Sequence, residues 1–194
     1  MPADIVQTYR AMAHNNGWAN ERLLTACGGL GEPEFAAPRV GFFPSLQQTL
    51  NHILIVDWFY VDGLEGGALG PKAWQNRVPF PALPALHTAQ RQVDRRLIAF
   101  CDGLDAAGLG GTAVFRRGGR VQRERIDRAL MHLFQHQIHH RGQAHAMLSA
   151  TSVGPPQLDE FFGVAEAPLR VPEFQALGWT EAEIWGEDEG APAG

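Results

Sequence analysis

Cysteine is nearly missing from this 194-residue chain: Cys27 and Cys101 are its only two, and no CxxC motif occurs. A disulfide framework is therefore excluded, and two buried free thiols in a reducing cytoplasm are expected. Long apolar runs are missing too. None approaches the roughly 18 residues of a membrane-spanning helix. The opening MPADIVQTYRAMAHNNGW has no basic stretch leading into an apolar one, so neither membrane association nor secretion is expected. Positive charge is in deficit: the formal net charge is -5, which argues against nucleic acid as a partner. Arg116, Arg117, Arg120, Arg123 and Arg125 cluster locally and read as a solvated loop. With 45% hydrophobic and 19% charged residues, the chain has the profile of a globular protein with a single sizeable core.

Extended alternation of polar and apolar residues is also absent, while helical periodicity appears four times. The first pattern runs from about Asp4, a candidate N-cap, to Cys27 before Gly28-Gly29. The second follows FFPS, with Ser45 as cap, and reaches about Leu64. The third runs from about Pro84 to Leu104 and the fourth from about Arg123 to Ala150. The link EGGALGPKAWQNRVPFPALP is rich in Pro and Gly, hence irregular. In AVFRRGGRVQ, two β-prone runs flank Gly118-Gly119, predicting a small hairpin near 113–122. Past Pro155-Pro156 no helix can continue. An irregular tail over 166–194 is expected to pack on the bundle through Phe161, Phe162, Phe174, Trp179 and Trp185, ending in a disordered GEDEGAPAG. Four long helical patterns predict an all-α four-helix bundle over 1–165.

Five of the eight histidines fall within residues 130–148, LMHLFQHQIHHRGQAHAML. On a heptad seam, Ile126, Leu133, His140 and Met147 recur beside Ala129, His136, Gln143 and Ala150. Side chains at i and i+4 share a helix face, so His136 and His140 project together into the interior. Two imidazoles buried side by side need a common partner, and a metal ion satisfies both. His132 and His139 flank this pair, and His145 points away. A third ligand must come from another helix. His52 is the best placed, on a stripe with Thr49, Val56 and Phe59; His14 and His87 compete but sit in more polar, more exposed company.

Three imidazoles and an open position are typical of a catalytic zinc site. Nickel, iron, copper and manganese also accept imidazole, so zinc leads without excluding them. With no carboxylate ligand the ion keeps its full charge and favours a hydroxide, a thiolate or another anion. The residue after His136 is Gln137, so the glutamate base of an HExxH protease is absent, as are the paired Glu-x-x-His motifs of a di-iron bundle. One mononuclear site is left.

HLFQHQIHHRGQAHAML closely resembles the last-helix signature of the DinB/YfiT-like superfamily, whose most recognisable run is H-x-x-H-H-R-G-Q. YRAMAHNNGWANERLL, LNHILIVDWFYVDGL and VFRRGGRVQRERIDRALMHLF resemble the first helix, the second helix and the approach to the last, so the likeness spans roughly residues 5–165. It implies an up-down-down-up bundle, often dimeric, with His52, His136 and His140 as metal ligands. It also implies a metal-dependent enzyme, in some relatives a transferase or isomerase using a low-molecular-weight thiol. Asp57 and Arg141 fall at recurring positions of the family and read as a structural ion pair or surface residues.

The expected function is thus metal-dependent transfer or hydrolysis on a small molecule, by a cytoplasmic homodimer. The alternative is a non-catalytic metal-binding stress-response protein. Gln143, His139, His132, Tyr60 and Asn16 are the candidates to support the ligands or line the pocket. No catalytic base stands out, although His14, Tyr60 or His139 could reach the open side.

Overall fold

A computed structural model describes residues 4–186, and the expected disorder of the last residues concerns positions almost all outside that range. Four long helices dominate: α1 (Ile5–Cys27), α3 (Leu46–Leu64), α4 (Leu83–Asp102) and α6 (Ile126–Leu148). Short helices α2 (Glu32–Ala36), α5 (Ala106–Leu109), α7 (Val171–Leu177) and α8 (Glu181–Trp185) and a two-stranded ribbon join or extend them. The Asp4 carboxylate caps α1 by accepting from the Val6 amide, and the Ser45 hydroxyl caps α3 by accepting from Gln48.

Side-chain contacts fix the relative directions of the four long helices. On α1 and α4, His14 lies near Asp102 and Asn20 meets Asp94, so the two are antiparallel. On α3 and α6, Thr49 touches Met147 and Tyr60 lies against His132, again antiparallel. Asp57 meets Gln90 and Glu65 meets Arg96, so α3 and α4 run parallel; Tyr9 with Asp127 and Asn20 with Arg141 make α1 and α6 parallel. The bundle is up-down-down-up. Two consecutive parallel helices need a crossover, because the chain leaving α3 at one end must enter α4 at the other. That is the role of the Pro- and Gly-rich link. Asn51 of α3 clips it down: its amide donates to the Phe80 carbonyl and its oxygen accepts from the Phe80 amide, both at 2.9 Å.

The ribbon pairs β1 (Thr112–Arg117) with β2 (Arg120–Arg125), Thr112 opposite Arg125 and Arg117 opposite Arg120. Gly118 (φ 48°) and Gly119 (φ 83°) form its turn, where two successive positive φ angles favour glycine. The ribbon is longer than the expected 113–122 and takes residues 123–125 from the start of the fourth helical pattern. Pairing with β1 wins there because Ala113 and Phe115 are buried and bring β2 with them, while β2 itself is almost wholly exposed. After the bundle, Phe161, Phe174 and Ile184 bury themselves with Trp18 and Ala19 of α1 in a second apolar cluster. Arg22 stacks over Trp18 at 4.4 Å and pairs with Glu160 and Glu173. Phe162 stays half exposed.

The interior is not uniformly apolar. Asp57, Gln90, Asp94, Gln137, Arg141, Asn16 and Asn20 are all buried and contribute from all four long helices. Asp94 accepts hydrogen bonds from Asn16, Asn20 and Gln90; Asp57 accepts from Gln90 and Gln137; Arg141 donates to the oxygens of Asn16 and Asn20. The surface reading of Asp57 and Arg141 is therefore wrong, and the two do not pair directly either: amides mediate between them. Polar residues at these angles face neighbouring helices because HNNGWAN supplies the partners. Burial pushes the Asp57 carboxyl well up, reinforced by the Asp94 charge, and pushes Asp94 up as well. Burial lowers Arg141 to about 10, which leaves it charged at neutral pH. Two carboxyls facing one guanidinium balance when one of them holds a proton.

This network predicts an asymmetry. Asp57→Asn mimics a protonated carboxyl and, with the Gln137 amide turned so that its otherwise unpartnered oxygen accepts from Asn, should cost less than about 1 kcal/mol, whereas Arg141→Met strands acidic groups and should cost about 3–5 kcal/mol in urea unfolding. A second prediction concerns Glu21, which is buried; burial alone would raise its pKa, but hydrogen bonds from Arg91 and His87 outweigh that and hold it at about 2. A depressed carboxyl stabilises the fold above the ordinary carboxylate range and loses that contribution as pH falls towards the folded value. Stability of the parent chain should thus fall between pH 5 and pH 2 (roughly, from that linkage) more steeply than that of Glu21→Gln, as urea midpoints would show.

Candidate metal centre

His52 from α3 and His136 and His140 from α6 converge where the two antiparallel helices pack. One ring nitrogen from each lies within 4.8 Å of the other two. The i,i+4 spacing stacks the α6 pair, with ring centroids 4.4 Å apart. His52 faces both, its ring 5.0 Å from His136 and 4.7 Å from His140. The Nε2 atoms of His52 and His136 are 3.1 Å apart. Two nitrogens bound tetrahedrally to zinc at about 2.0–2.1 Å would stand about 3.3 Å apart, so this pair matches the span of a shared ion.

The electrostatics keep the rings neutral, the form that donates to a metal. Burial, then the neighbouring His140, lowers His52 to about 4. Burial and four surrounding histidines lower His136 to about 3, and burial also lowers His140. The tautomer of His140 is set by Gln143. Its Nδ1 donates to the Gln143 oxygen at 2.8 Å, leaving the Nε2 lone pair free. The Gln143 amide, in turn, donates to His139 Nε2 at 3.1 Å. Nδ1 of His136 is buried with no hydrogen-bond partner among the described residues. The cluster could hold a metal ion: it offers one nitrogen donor from each ring and no carboxylate.

The other candidates separate. Gln143 and His139 adjoin the cluster, and His132 stacks between Tyr60 and His136, with ring centroids 5.3 and 6.4 Å away. Asn16 lies elsewhere, its side chain committed to Arg141 and Asp94. The competing histidines are also elsewhere. His14 is buried against Trp179, contrary to its expected exposure, because the tail covers that face of α1. His87 bonds Glu21 at 2.7 Å. One neighbour had no reading in the sequence beyond the cap that follows it: Phe43, in the loop before α3, lies 4.4 Å from the His52 ring and 5.6 Å from His140. The only available signal was an apolar FF pair directly before an N-cap on a ligand-bearing helix.

The DinB family model matches residues 5–168, which take in all four long helices and the three histidines. The chain belongs to the DinB family. A crystal structure of a DinB-like protein from Bacillus cereus is similar at a TM-score of 0.56 and 18% identity, covering 72% of this chain and 90% of that one. At that identity the likeness concerns the fold alone. No curated protein matches the chain.

Within this DinB-family bundle the Gln143 contact gives a direct test. Gln143→Ala should lower affinity for a divalent metal about 10–100-fold by freeing the His140 ring. His139→Ala, at the far side of the same amide, should change it much less. Competition against a chelating dye would measure both.

Proposed function

We propose that His52, His136 and His140 hold one divalent metal ion, zinc before nickel, iron or manganese, and that the protein is a metal-dependent transferase or hydrolase acting on a small molecule. The observation that carries this reading is the convergence of three neutral imidazoles, with ligand atoms within 4.8 Å and no carboxylate among them. An ion in such a site supplies Lewis acidity and lowers the pKa of a water or thiol in its open position. An all-imidazole set leaves the ion's charge undiminished, and this favours an anionic partner such as the thiolate of a low-molecular-weight thiol.

The chain's own residues do the rest. Gln143 holds His140 in the tautomer whose Nε2 faces the cluster. Burial and mutual repulsion keep protons off His52 and His136. Phe43 shields one side of the His52 and His140 rings from water. His139, exposed, accepts from the Gln143 amide and so steadies the residue that orients His140.

Protein purified without a histidine tag should contain close to one equivalent of metal by elemental analysis, and His136→Ala should lose it while keeping its helical circular dichroism. A screen pairing a low-molecular-weight thiol with an electrophile should show turnover that chelation abolishes. Turnover that survives both chelation and His136→Ala would rule the mechanism out. Stoichiometric metal with no turnover in any pairing would favour a non-catalytic metal-binding role.

A further inference from the structure

One turn along α6 from His136, a cavity of about 290 Å³ opens between the ribbon and the bundle. Tyr60 of α3, Arg117 of β1, Gln122 and Glu124 of β2, and Arg128 and His132 of α6 line it. Its volume sits at the lower end of small-molecule sites. Arg22, Arg91, Arg96, Arg125 and Arg170 each pair with a carboxylate. Among the described residues, Arg117 and Arg128 have no such partner. Arg117 is nevertheless held in place: it donates to the Tyr60 hydroxyl at 3.0 Å and lies over the Phe59 ring at 4.8 Å. Those contacts leave most of its planar donor fork unused. The one acid on the cavity wall, Glu124, accepts from Gln122 at 3.0 Å, so two guanidiniums face a single engaged carboxylate. His132 links this cavity to the cluster, its ring 5.3 Å from Tyr60 and 6.4 Å from His136.

We infer that this cavity is a carboxylate-binding subsite of the histidine cluster, in which Arg117, assisted by Arg128, takes the acid group of a small thiol whose sulfur reaches the cluster. The inference rests on the metal reading above and names the class of molecule that the site selects. A planar bidentate fork suits a carboxylate. The His132 ring lies between the two binding points, 6.4 Å from the His136 ring and 5.3 Å from that of Tyr60, whose hydroxyl Arg117 holds at 3.0 Å. The ligand is therefore a thiol with a chain of several atoms between sulfur and acid.

The test compares 6-sulfanylhexanoate with 6-sulfanylhexan-1-ol, which differ in charge but hardly in shape, on the cobalt(II)-loaded protein, reading the thiolate-to-cobalt absorption band. The acid should bind about tenfold or more tightly than the alcohol, an advantage expected from a charged hydrogen bond. Arg117→Gln should erase that advantage and Arg128→Gln should reduce it, with the affinity for the alcohol unchanged in both. Hexanoate added to the metal-free protein should shift the NMR signals of Arg117, Arg128 and His132, and these shifts should vanish in Arg117→Gln. Equal affinity for the two thiols, or an acid preference untouched by both variants, would overturn the subsite. Inorganic phosphate displacing hexanoate at equal concentration would overturn the carboxylate assignment. Absence of any cobalt band with either thiol would instead defeat the metal–thiol reading, and hexanoate binding to the metal-free protein would then decide the subsite alone.

Discussion

The guanidinium of Arg141, buried among the four long helices, constrains the whole bundle. Its charge is fully inside the protein, so α1 must bring Asn16 and Asn20 to it, and α3 and α4 must bring Asp57 and Asp94 close enough to balance it. The constraint sets rotation as well as position. Residues 140 and 141 diverge by about 100° on a helix. With Arg141 turned towards α1 and α4, His140 turns towards α3, where His52 stands. The Gln137 amide, bonded to Asp57, fixes the neighbouring residue in the same way, so His136 follows His140. The polar core thereby acts as the alignment device for the histidine cluster.

That alignment explains how three imidazoles can be crowded without a strand or loop to hold them. Helices position side chains more rigidly than loops do, and each ring here has a neighbour limiting its rotation: Phe43 for His52, His132 for His136, Gln143 for His140. Burial, with the neighbouring histidines adding to it, lowers the proton affinity of every ring, so the cluster could hold a cation other than a proton. The ribbon has a separate part. Only Ala113 and Phe115 of β1 are needed for packing, which leaves Arg116 and Arg117 at the end of that strand exposed and places Arg117 beside Tyr60.

Much of this was legible in the sequence. Helical periods, Asp4 and Ser45 as caps and the Gly118-Gly119 turn are short-range signals, and the backbone obeys them directly. The His136–His140 pair was legible for the same reason, since i,i+4 geometry is local. His52 needed more, because its choice over His14 and His87 depended on which faces of separate helices meet. The errors have one physical cause. Asp57, Arg141 and His14 were given exposed or simple ion-pair roles because polar residues prefer water; here amides on other helices, and in one case the tail, supply what water would have. Residues 123–125 failed differently: their helical period was overridden by pairing with a strand whose Phe115 is anchored in the core.

The sequence by itself determined where α1 and α3 begin and end, that the four long helices are amphipathic enough to form a bundle, and that two histidines share one face. These follow from φ/ψ preference and periodicity within about two turns of chain. Only the tertiary structure decided which helices run parallel, that His52 completes the cluster, that Phe43 covers it, and that Arg117 and Arg128 face a cavity beside it. Those are contacts between residues 10 to 120 or more positions apart (roughly, at the separations where loop closure governs). They depend on the total balance of buried charge and apolar area across four helices, a sum that no local stretch of the chain contains.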